Sequence, residues 1–149
     1  MIPYTQQKVS SVDGAVSGSC MRTALGCITH TDPEEWPHLE VMGTEWHMPF
    51  MNHLISLGFD FEGTCYRNPG ESIPDFWARL TSLSPGIDGY FVVNGTSPRA
   101  HVTRGHSVVY KDGELAHDPF PGGTGLLEVQ TAYMIEHLDY SRSYAPSKK

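Results

Sequence analysis

The segment SGSCMRTALGCI, residues 17–28, sets Cys20 behind a small polar run and at the head of a stretch with helical spacing. A cysteine there feels the positive end of the helix dipole, which favours thiolate over thiol. A thiolate that attacks a carbonyl also needs a proton relay. His106, in GHSVVY, and Asp118, in HDPFP, are the residue types that supply one. The imidazole gains and loses a proton near neutral pH, and the acid fixes its tautomer and orientation.

Other chemistries for Cys20 fit less well. Three cysteines are an odd number, and MIPYTQQKVSSVDG lacks the apolar run of a signal peptide. Both features suit free thiols in a cytoplasmic chain better than a disulfide framework. Cys20, Cys27 and His30 do not form a Cys-x-x-Cys pair, and His47 and His53 are six apart rather than four. No metal or cofactor is therefore expected. Cys27 and Cys65 read as small core residues.

The elements that must position these groups follow from pattern and punctuation. Residues 20–28 suit a helix, with Ser17 or Ser19 as cap and Ala24, Leu25 and Ile28 facing the core. Pro33 and Pro37 break the pattern. Trp46, Phe50, Leu54 and Leu57 predict a second helix over about 45–57, stopped by Gly58. FDFEGTCY, 59–66, reads as a strand, and Ser72 with Pro74 opens a short helix in SIPDFWARL. Trp46 and Trp77 are read as helix core, and Trp36 as packing beneath its loop. GYFVVNG is a buried strand, GTSPRAHVTRG an exposed loop and AYMIEHL a closing strand. Helices followed by antiparallel strands make an α+β domain over residues 1–142, with SRSYAPSKK leading into a disordered tail at 143–149.

HSVVYKDGELAHD is a hairpin whose loop length decides what shares a face. A two-residue Asp112-Gly113 turn opposes Ser107 to Asp118 and turns His106 away. A three-residue turn with a bulge at Gly113 pairs Tyr110 with Glu114 and sets His106 across from Asp118, with Cβ atoms about 5 Å apart. That geometry is the one the triad requires, and it directs His117 to the other face.

Cysteine opening a helix, His106 starting a strand as GHSVVY and Asp118 following as HDPFP resemble the papain-like cysteine peptidases. The likeness is to the small peptidase-like proteins of phage genomes and bacteria, related to bacteriocin leader peptidases, and runs from IPYTQ to HDPFPGGTGL. It implies a papain-like fold, with N-terminal helices packed on an antiparallel sheet that carries His106 and Asp118. It also implies that a glutamine upstream of Cys20, Gln6 or else Gln7, stabilises the oxyanion beside the Cys20 N–H, with Gln6 at the expected place.

The function this implies is hydrolysis of an amide or related acyl bond in a peptide or protein, a host protein if the chain is phage-borne. Acyl transfer of the transglutaminase or arylamine acetyltransferase type, and side-chain deamidation, use the same triad. A non-catalytic protein that binds and inhibits a host protein is the reading from another class. A net charge of −7 with ten Lys and Arg in 149 residues argues against nucleic-acid and anionic-membrane partners. FPGGTG lacks the lysine and serine of a phosphate loop. Arg99 and Arg104, in the loop before His106, are candidates for an acidic substrate group or plain solvated side chains.

Overall fold

A computed structural model describes residues 1–7, 18–39, 42–99, 101–102 and 105–139. The cap at Ser17, the loop residue Arg104 and the tail at 143–149 lie outside that set. The order along the chain is α1 (Cys20–Thr29), α2 (His47–Ser56), β1 (Phe59–Tyr66), α3 (Ile73–Leu83), β2 (Tyr90–Thr96), β3 (His106–Lys111), β4 (Glu114–His117) and β5 (Glu128–His137). Single 3-10 turns at Pro33–Glu35 and Gly43–Glu45 join α1 to α2. The class is α+β, but β1 precedes α3, so helices and strands interleave.

The sheet is antiparallel with order β1-β5-β2-β3-β4. β5 is therefore an inner strand rather than a closing edge, and it begins earlier than AYMIEHL, at Glu128. Its ten residues pair with β1 on one side and β2 on the other.

Both faces of the sheet are covered, which explains why β2 and β3 are apolar without a clean alternation. On one face Val92, Val109, Tyr133 and Ile135 pack with Ala24, Leu25 and Ile28 of α1 and Phe50 and Leu54 of α2. On the other, Phe91, Val93, Val108 and Ala132 pack with Phe76 and Leu80 of α3. The layers are α1 and α2, sheet, α3.

Local chemistry accounts for the helix boundaries. Ser72 accepts the Asp75 N–H at 3.1 Å and Pro74 occupies the first turn of α3. His30 closes α1 in the left-handed conformation, and Gly58 follows α2 with φ of 88°. At the head of α1 the expectation fails in one respect. Ser19 holds the cap position, but its side chain makes no capping bond, and its carbonyl instead accepts from the Thr23 N–H and hydroxyl. The tryptophans divide as well. Trp36 is buried beneath its loop, whereas Trp46 precedes α2 and Trp77 is only partly buried, against the Gly113 turn.

The hairpin turns in two residues, not three. Asp112 and Gly113 have φ of 54° and 78°, the signature of a type I′ turn. Lys111 pairs with Glu114 and Tyr110 with Leu115, and then a bulge at Ala116 brings Val109 opposite His117. That extra residue reverses the parity of the positions after it. Asp118, the first residue beyond β4 and not on a strand, thus falls on the face of Val108 and His106. The two side chains meet, but diagonally on one face and not in the directly opposed pairing expected.

Candidate active site

His106 opens β3 opposite Gly95 of β2, and only 3% of it is exposed. Its Nε2 lies 2.6 Å from Asp118 Oδ1, with both side chains buried. The carboxylate is further held by the Phe120 N–H on Oδ1 at 2.9 Å and the Gly125 N–H on Oδ2 at 2.8 Å. Burial alone would raise the pKa of Asp118. The hydrogen bonds from His106, Phe120 and Gly125 more than offset it, and the pKa lies below the ordinary carboxylate value.

An ionised carboxylate only accepts hydrogen bonds, so the proton of the neutral imidazole sits on Nε2 and the lone pair on Nδ1. His106 Nδ1 is buried and has no hydrogen-bond partner among the described residues. The ring is therefore fixed at one nitrogen and open to a proton at the other.

The loop after β4 is built around this carboxylate. A side chain on Gly123 would drive its Cβ into the Asp118 carboxylate, and Gly125 takes φ of 99° as its N–H turns inward. PFPGGTG is thus an anion cradle, filled by the chain's own aspartate. The sequence reading excluded a nucleotide from this run but missed this role. The signal was present in an aspartate followed, after Pro119-Phe120-Pro121, by closely spaced glycines.

Cys20 is the first residue of α1 and is 9% exposed. α1 packs across β3 and β2, and the turn before it is tied down by a 2.9 Å contact between His38 Nε2 and the Gly18 carbonyl. Arg22 anchors the next turn through the Trp36 carbonyl and Glu34, each at 3.2 Å. Cys27 and Cys65 are buried in the core. Burial pushes the Cys27 thiol up to about 11, so it is not a nucleophile at neutral pH.

Gln6 is 5% exposed and Gln7 is exposed. The segment carrying them bridges α1 and the end of β4. Ile2 N–H donates to the Cys27 carbonyl at 3.0 Å, His117 Nε2 donates to the Tyr4 carbonyl at 2.6 Å, and Gln6 N–H donates to the Pro119 carbonyl at 2.9 Å. His117 thus turns away from His106, as expected. The structure joins His106 to Asp118 by their side chains and brings the Gln6 backbone to the residue after Asp118. Cys20 stands at the head of α1, the helix this segment holds against the Val109 face of the sheet, and the structure does not bring its Sγ into a hydrogen bond with His106 Nδ1, which has no partner among the described residues.

A groove of about 600 Å³ lies on the α3 side, lined by Ile73, Tyr110, Leu126 and Val129 among others, and none of the four candidate residues lines it. Among the described residues no three His, Cys, Asp or Glu side chains gather in a way that could hold a metal ion. No described helix is long and apolar enough to cross a membrane. No model of a known protein family matches the chain, and no curated protein or solved structure matches it.

Proposed function

We propose that this chain is a thiol hydrolase of the papain-like kind, cleaving an amide or related acyl bond in a peptide or protein. Cys20 Sγ attacks the carbonyl carbon as its proton passes to His106 Nδ1, with Asp118 holding the ring. The Cys20 N–H and the Gln6 side-chain amide stabilise the tetrahedral oxyanion. His106 then returns the proton to the leaving amine, and water hydrolyses the thioester. The observation that carries the reading is the buried His106–Asp118 pair, oriented through Nε2 with Nδ1 unpartnered among the described residues.

The pH dependence of iodoacetamide alkylation, followed at each cysteine by peptide mass spectrometry, tests it. Cys20 is expected to react with a midpoint below the free-thiol value of about 8.5, and His106→Ala to remove that advantage. Coincident profiles near the free value would overturn the reading and favour a binding protein without turnover.

A further inference from the structure

The geometry points to Arg99 as a carboxylate-binding residue that selects acidic substrates for this site, an assignment that rests on the thiol-hydrolase reading. Four arginines lie among the described residues. Arg22 donates to Glu34, Arg79 to Glu71, and Arg67 to the carbonyls of Glu71 and Val129. Arg99 differs from them. Its guanidinium has no hydrogen bond to any acceptor among the described residues, and its Nη1, like Arg22 Nε, is buried without a partner among them.

Among the described residues its guanidinium is set against an aromatic face. Arg99 Cζ stands 3.7 Å from the centroid of the Phe120 ring. Stacking fixes the plane of a guanidinium, and with Nη1 covered it is the remaining in-plane edge of this half-buried side chain that can meet a carboxylate. The base of the side chain is also fixed, because the Ser97 hydroxyl accepts the Arg99 N–H at 3.1 Å.

Position ties this cation to the chemistry. Phe120, under the guanidinium, is the residue whose N–H binds the Asp118 oxygen that also meets His106. A carboxylate on Arg99 would therefore stand beside the group that orients the proton relay. A guanidinium without a counter-charge among the described residues gains a charge-assisted hydrogen bond when a carboxylate meets its open edge. Acidic side chains outnumber basic ones 17 to 10 in this chain, yet none of the described ones is set against Arg99 Nη1. The acceptor it lacks is one that a substrate can bring.

The carboxylate can belong to an acidic side chain or to a chain terminus. Three epoxysuccinyl dipeptides that alkylate a thiolate separate these sources: one fully amide-capped with glutamine, one capped with glutamate, and one with glutamine and a free terminal carboxylate. Second-order labelling of Cys20 is expected to favour one of the acidic probes over the neutral one by about ten- to a hundredfold. In Arg99→Gln that ratio should fall toward one, and Arg99→Lys should restore part of it. No acidic preference, or a preference kept in Arg99→Gln while all rates change together, would overturn the assignment and leave the thiol reading standing. Failure of every probe to label Cys20 faster than Cys27 would overturn the thiol reading, and this assignment with it.

Discussion

Three cysteines share one chain, and their surroundings set them apart. Cys20 stands at a helix head, whereas the Cys27 thiol is held up at about 11 by burial. Brief iodoacetamide treatment at pH 7 should therefore modify Cys20 at least about tenfold faster than Cys27, as the thiolate fraction dictates. Equal modification of the two in the folded protein would count against an activated Cys20. Asp118 admits a complementary test. Asp118→Ala leaves the His106, Phe120 and Gly125 donors facing a void, and unsatisfied buried donors cost about 1–3 kcal/mol each. Urea denaturation should show a loss of about 3 kcal/mol or more, and a change within about 0.5 kcal/mol would mean that water replaces the carboxylate freely. The contact of His106 with Asp118 was legible because the two residue types and their spacing around the hairpin are distinctive. The environment of Arg99 was not, since an arginine in a polar loop looks solvated until Phe120 is folded beneath it.

At the scale of elements, a bulge and a glycine loop do what a simple hairpin could not. Asp112-Gly113 forms the two-residue turn that its composition favours, and the extra residue at Ala116 restores the parity that brings Asp118 to His106. Sequence spacing foretold the pair by a different register because an alternating strand gives no local sign of one added residue. The sites of the helices and strands were legible from their stripes and stop signals, as at Ser72 and Gly58. The place of β5 between β1 and β2 was not, since strand order depends on contacts far apart in sequence. The glycine loop offers a paired test. Gly122 has φ of 71° with open space around it, so Gly122→Ala should cost only backbone strain of about 1 kcal/mol. Gly123→Ala must displace the Asp118 carboxylate. It should cost about 1–3 kcal/mol and also slow Cys20 alkylation at neutral pH. Loss of labelling in Gly122→Ala to the same extent would show that the loop acts through its overall order instead of through Asp118.

Across the whole molecule, separate parts of the chain converge on one carboxylate. β3 delivers His106, the loop after β4 delivers the Phe120 and Gly125 amides, and the N-terminal segment reaches Pro119 while it spans to α1 through Cys27. Protonating Asp118 should therefore weaken the assembly and not only the site. The direction is set by linkage. A carboxyl whose folded pKa lies below its unfolded value of about 3.9 contributes stability that is fully present above that value and is lost as pH falls through the folded one. Asp118→Asn keeps the shape but carries no charge, so it cannot lose that contribution on acidification. The urea midpoint of the native chain should exceed that of Asp118→Asn by a constant margin between about pH 5 and 7, and the margin should narrow as pH falls below about 4. A margin that does not narrow at all as pH falls below about 4 would show that the carboxylate's charge does not hold these parts together, and would place the acid sensitivity of the fold elsewhere.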